Sequence, residues 1–280
     1  YFRLEQSDPN DELKKQYIKN QTDKILYIEN FIDGIINGTN TVNLREKWCN
    51  SVLGIASDDF GDIEDQLLGI DNLSDDQFMR GELDRLYNSR LNSNTRELYD
   101  GSSIPEEKNH NDDGGDPIFQ ELISEINNNY GQILYVGHSE ENELETTQFQ
   151  SKYSLQLENE NPFLFIGVGC STGSFDETTM SISESFQCQE TGSYTCFAAT
   201  NRMAWETGQY FLRKYVNMIS RNVSEIPNDN NNEEDKVYTN GELFKKGVTL
   251  DQFSDTVNGT RNNDFYYFNI LGDPVTKNMY

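Results

Sequence analysis

The chain has 280 residues, a formal net charge of −26 and a mean hydropathy of −0.76. That charge excludes the nucleic-acid backbone and anionic membrane surfaces as partners and favours cationic molecules or metal ions, while no apolar run approaches the roughly 18 residues of a membrane span. Four scattered cysteines, Cys49, Cys170, Cys188 and Cys196, exclude a disulfide scaffold and lack the paired spacing of a zinc ribbon, although Cys188 and Cys196 flank one helix-to-strand connection and are candidates to pair.

In chain order, Tyr1-Phe2-Arg3-Leu4 reads as the middle of a strand with no leader before it, so the chain is expected to begin inside a longer precursor. Leu13, Tyr17, Ile18, Ile25 and Ile28 lie near helical spacing and predict a helix from about Asp11 to Phe31. Ser51 to Ser57 reads as a central strand, and Ser74 with Gln77 makes a capping box for a helix to about Leu91. Arg96 to Asp100 is a short strand, an acidic Gly/Asn loop runs to Asp116, and Pro117 opens a helix through Ile126. After Ile133 to His138 and Phe163 to Cys170, the pattern predicts a helix around Thr179 to Phe186, a strand from Tyr194 to Ala199 and a helix from Trp205 to about Ser220. Residues 225–237 form an acidic, asparagine-rich insertion without a core face. Helical turns near Glu242 to Lys246 and a strand from Phe265 to Leu271 close the chain. Alternating strands and helices predict an α/β fold, a mainly parallel sheet covered on both faces.

Two apolar runs end in reactive side chains beside glycine, Val136-Gly137-His138 and Val168-Gly169-Cys170. If both are strands of one parallel sheet, an imidazole and a thiol stand at the same edge, where open α/β sheets place their chemistry. Such a pair is the minimal cysteine nucleophile, the imidazole taking the thiol proton so that the thiolate attacks a carbonyl. Taken singly, each residue also has an ordinary reading, as a hydrogen-bonded strand end and a small buried hydrophobe.

Ordered motifs through nearly all of the chain resemble the gingipain-type cysteine peptidases, which have a caspase-like fold. They are Tyr1-Phe2-Arg3-Leu4, Lys24-Ile25-Leu26-Tyr27-Ile28-Glu29, Trp48 with Ile55 to Asp59, Leu98-Tyr99-Asp100, Gly137-His138, Gly169-Cys170-x-x-Gly173-x-Phe175, Glu184-Ser185-Phe186, Ala198-Ala199-Thr200, Trp205 and Leu271-Gly272-Asp273-Pro274. The resemblance implies a three-layer α/β/α sandwich and a cysteine endopeptidase acting on peptides or proteins. It casts Cys170 as nucleophile, His138 as general base and acid, and Asp59 as the carboxylate behind the histidine, one methylene shorter than the family's glutamate, with Asp58 as the neighbouring alternative. The backbone N–H groups of Cys170 and Ser139 would form the oxyanion hole, serine standing where the family has glycine. Asp75 matches the acid that binds arginine at P1, Asp76 being next, and Asp75 equally suits a helix first turn. Trp205 matches a tryptophan flanking that pocket.

The resemblance covers the catalytic half of such a protein, without its preceding half-domain, and implies secretion or display at the cell surface. Five Asn-x-Ser/Thr sequons, beginning at Asn20, Asn37, Asn72, Asn222 and Asn258, fit the same setting. No cofactor is required for the chemistry. Structural calcium is a further expectation, with Asp58, Asp59, Asp62 and Glu64 as oxygen donors. Two other readings stay open on the sequence: a transpeptidase or amidase on the same fold, and a binding module that has lost activity.

Overall fold

The apolar runs marked as strands lie side by side at the centre of one sheet. The computed structural model describes residues 11–36, 48–59, 73–89, 93–99, 117–176, 179–203, 205–220, 239–248 and 268–275. Strands β1 (Ser51–Ala56), β2 (Asn94–Tyr99), β3 (Gln132–Val136), β7 (Phe163–Val168), β8 (Ser193–Ala199) and β9 (Phe268–Gly272) pair in the order β2-β1-β3-β7-β8-β9. All neighbours run parallel except β9, which returns antiparallel to β8.

Helices α1 (Asp11–Ile36), α2 (Asp75–Tyr87), α3 (Phe119–Ile126), α4 (Ile182–Cys188), α5 (Trp205–Ser220) and α6 (Asn240–Val248) flank the sheet. Alternate strand residues enter two cores. Val52, Ala56, Leu134, Val136, Leu164 and Ile166 pack with side chains of α2, α5 and the end of α1, whereas Leu53, Ile55, Ile133, Tyr135, Phe163 and Phe165 pack with those of α3 and α4. Burial on both faces explains why the central strands read as continuous apolar runs rather than alternating ones. The expected caspase-like α/β/α sandwich is therefore present.

Local signals placed several helix starts. Ser74 N–H donates to Gln77 Oε1 at 3.3 Å at the head of α2. Ser181 and Glu184 cap α4 reciprocally, Ser181 N–H to Glu184 Oε2 at 2.9 Å and Glu184 N–H to Ser181 Oγ at 3.3 Å. Helix α1 runs one turn beyond Phe31, and α2 stops at Tyr87, short of Leu91.

One feature was absent from the sequence reading. Between β3 and β7 stands a small antiparallel sheet of β4 (Ser139–Glu140), β5 (Glu143–Leu144) and β6 (Phe149–Gln150), followed by a 3₁₀ turn over Ser151–Gln156. All four cysteines are free thiols, so the expected candidate pair Cys188 and Cys196 is not joined. Asn20 is buried, with its amide donating to Cys188 O, which removes that sequon from solvent. The entry strand Tyr1 to Leu4 and the insertion 225–237 lie outside the described residues. Among the described residues no helix is long and apolar enough to cross a membrane.

Candidate active site

Register brings the two reactive strand ends together. In adjacent parallel strands Ala56 pairs with Val136 and Val136 with Val168, so β1, β3 and β7 end level and their next residues emerge at one carboxyl edge. His138 and Cys170 each lie two residues beyond that last pair. Gly137 N–H continues the ladder to Val168 O at 3.1 Å. Ser139 Oγ donates to Cys170 O at 2.7 Å, a direct bond between the two segments.

Glycines permit this approach. A Cβ on Gly169 would collide with Ser139 Oγ and come within 2.8 Å of Gly137 O, while one on Gly137 would stand 2.8 Å from Thr146 Oγ1 and 3.1 Å from Tyr135 Oη. Tyr135, buried under the edge, donates its hydroxyl to His138 O and lies 3.2 Å from Thr146 Oγ1. Burial holds the Tyr135 phenol above its ordinary pKa, so it stays a donor. Neither residue was singled out from sequence, since only the fold brings residues 135 and 146 together.

Past Cys170 the chain turns sharply. Ser171 has φ of +56°, the left-handed region, which costs a residue with Cβ on the order of 1 kcal/mol. The bend is held by Ser171 N–H to Asn201 O at 3.1 Å, Gly173 N–H to Ala199 O at 2.7 Å and Thr172 Oγ1 to Gly167 O at 3.2 Å. Cys170 is left partly exposed, its Sγ 3.9 Å from Met203 O in the segment leading into α5.

His138 is exposed and its Nε2 stands 3.8 Å from Asp59 Oδ2. Asp59, not the exposed Asp58, is thus the carboxylate beside the imidazole. Both side chains of the pair are about half exposed, 55% and 47%, so solvent screens the attraction and the pairing orients more than it stabilises.

Ser139 lies in β4 and is not among the described residues with positive φ, so its Cβ imposes no strain. Glu145 N–H donates to His138 O at 3.2 Å, which makes Ser139 with Leu144 the next, non-hydrogen-bonded pair of the ladder and turns the Ser139 N–H away from β5.

Asp75 is withdrawn from solvent. It is fully buried at the head of α2, where Oδ2 accepts from Ser57 Oγ at 2.7 Å and Oδ1 from Gln209 Nε2 at 2.8 Å. Asp76 is buried too, accepting from Ser74 Oγ and lying 4.0 Å from the Arg80 guanidinium. Trp205 is the first residue of α5, but its side chain is outside the described set. Of the expected calcium donors, Asp62 and Glu64 also lie outside it, and among the described residues no three carboxylate, imidazole or thiol groups are clustered to hold a metal ion.

The model of "Peptidase family C25" matches residues 14–279 of this chain. No curated protein sequence matches it. Among solved structures, the Arg-specific cysteine proteinase gingipain R (RgpB) superposes with a TM-score of 0.72 at 18% identity, covering 94% of this chain and 53% of that one. The complex of the Porphyromonas gingivalis RgpB pro- and mature domains gives 0.69 at 18% identity, with 94% and 54% covered. A further solved protease gives 0.60 at 14% identity, with 94% and 53% covered. The chain thus spans about half the length of the solved proteins it matches, and at these identities the likeness is one of fold.

Proposed function

This chain belongs to peptidase family C25, and on that premise we propose that it hydrolyses peptide bonds with Cys170 as nucleophile and His138 as general base and acid. The carrying observation is the level ending of β3 and β7, with Ser139 Oγ bonded to Cys170 O across the two reactive segments. With Nε2 turned to Asp59, proton exchange with the thiol falls to Nδ1 of His138.

In this reaction the Cys170 thiolate attacks the scissile carbonyl carbon and the carbonyl π electrons move to oxygen. The Cys170 and Ser139 N–H groups receive that oxyanion; the turn of the Ser139 N–H away from β5 supports its part. Collapse re-forms the carbonyl and breaks the C–N bond, His138 protonating the leaving amine and leaving a thioester. Water, deprotonated by His138, then attacks the thioester, and the thiolate leaves as the carboxylic product departs. Asp59 orients the imidazole and stabilises its cation.

The preferred substrates in this reading are polypeptides with arginine or lysine at P1. A net charge of −26 supports that preference, since an acidic surface attracts basic peptides. Action outside the cell or at its surface goes with the family resemblance.

The test uses reduced, folded protein with fluorogenic peptides bearing Arg, Lys, Asp or Leu at P1, beside Cys170→Ala. Cleavage that vanishes in Cys170→Ala and is fastest after Arg or Lys is expected. Cleavage surviving in that variant overturns the nucleophile, and equal rates with all four peptides overturn the P1 preference.

A further inference from the structure

A buried line of hydrogen bonds runs from α5 to the edge beneath His138. Gln209, 2% exposed, donates to Asp75 Oδ1 at 2.8 Å, and Ser57, 2% exposed, donates to Asp75 Oδ2 at 2.7 Å. Backbone bonds double the connection: Asp75 N–H to Asp59 O at 3.0 Å, Asp76 N–H to Ser57 O at 2.9 Å and Ser57 N–H to Val136 O at 3.1 Å. Ser57 Oγ also lies 3.3 Å from where a Cβ on Gly137 would stand, so it packs against the residue preceding His138.

These bonds fix two things at once. The segment 57–59 is fastened to the head of α2, which sets where the Asp59 carboxylate stands, and Ser57 sets the floor under Gly137. Helix α5 is itself seated against the nucleophile strand, for a Cβ on Gly208 would clash with Val168 Cγ1, two residues before Cys170. A buried carboxylate held by two neutral donors loses a strong bond whenever one donor is removed, so each member constrains the others.

We infer that Asp75 is a positioning residue for the Asp59–His138 pair, held in place by Ser57 and Gln209. The inference rests on the reading of His138 as the base. It assigns Asp75 a contribution to turnover with every substrate, separate from any choice of the P1 side chain. Ser57 and Gln209 become positioning residues through it.

The test compares Ser57→Ala and Gln209→Leu with the unaltered protein. Two readouts are taken: kcat and KM for peptides with Arg, Lys or Leu at P1, and the rate of Cys170 alkylation by iodoacetamide, followed by mass of the Cys170 peptide. The expected result is a fall in kcat of about tenfold in each variant, equal for the three peptides, with KM changed less than about twofold, the scale on which small misplacements of catalytic groups act. Alkylation slows in parallel while thermal unfolding stays cooperative. A rise in KM confined to the Arg and Lys peptides overturns the inference, making the line a wall of the specificity pocket. Unchanged kcat and alkylation overturn it as well, leaving the bonds as packing alone. His138→Ala separates the premise from the inference: if His138→Ala leaves Cys170 alkylation unchanged, the base itself is misassigned, whereas slow alkylation in His138→Ala with normal alkylation in Ser57→Ala refutes only the positioning role.

Discussion

At the scale of single residues, the approach of the histidine and cysteine segments rests on what is missing at Gly169. A methyl group there would overlap Ser139 Oγ and press on Gly137 O at 2.8 Å, and a backbone oxygen cannot rotate away as a side chain can. Gly169→Ala is therefore expected to push the two segments apart, lowering stability by about 1–3 kcal/mol and kcat by about a hundredfold, measured by denaturant unfolding and steady-state kinetics. Adding Ser139→Gly to that variant removes the first clash but not the second, so activity should return only in part. Full recovery would show that Ser139 alone sets the spacing, and an undiminished Gly169→Ala enzyme would refute the argument. Cys170 and His138 could be found in the sequence because each ends an apolar run that a strand must terminate. Ser57 and Gln209 could not, because polar side chains far apart along the chain carry no local sign that one buried carboxylate will join them.

At the scale of elements, the long parallel strands and capped helices were legible because each carries a periodicity or a cap of its own. Strands β4 to β6 were not. Each has two residues, too few for alternation to register, and their pairing depends on turns between them rather than on composition. The placing of α1 was equally hidden, and it turns on one buried cation. Lys24 Nζ donates to Gln187 O at 2.7 Å, Gln189 O at 2.9 Å and Ser193 O at 3.0 Å, capping the end of α4 and the start of β8. Lys24→Met keeps the stem but leaves three carbonyls without that donor, and should cost about 3 kcal/mol in unfolding experiments. Burial lowers the Lys24 pKa from 10.5 to about 7. The folded chain then gives up this proton near pH 7 while the unfolded chain holds it to about 10.5. Between those values the unfolded state binds more protons, so this residue makes stability rise with pH. Burial raises the Cys188 and Cys196 thiols from 9.0 to about 11 and about 12, so as the pH nears 9.0 they ionise only in the unfolded chain and oppose that rise. The rise should be present in the unaltered protein between about pH 7 and pH 8, below the thiol range, and missing from Lys24→Met; identical slopes would remove Lys24 as its source.

At the scale of the whole molecule, one quantity acts on folding and on catalysis in opposite directions. A net charge of −26 repels itself in the compact state and, on the proposed function, would draw basic peptides toward it. Added salt shortens the screening length from about 30 Å at 0.01 M to about 8 Å at 0.15 M, weakening both effects together. Raising sodium chloride from about 0.01 M to about 0.15 M should therefore raise the unfolding temperature, as self-repulsion is screened. Over the same range kcat/KM for a peptide with several basic residues should fall by about three- to tenfold, within the span that electrostatic steering covers, while that for a neutral peptide stays level. The two peptides must share the P1 residue, so that steering by the whole surface is read apart from binding in the pocket. Parallel salt slopes for both peptides would show that the acidic surface serves the fold and its solution behaviour alone. A fall confined to the basic peptide, beside a rising unfolding temperature, would show the surface charge trading a part of the stability for faster capture of substrate.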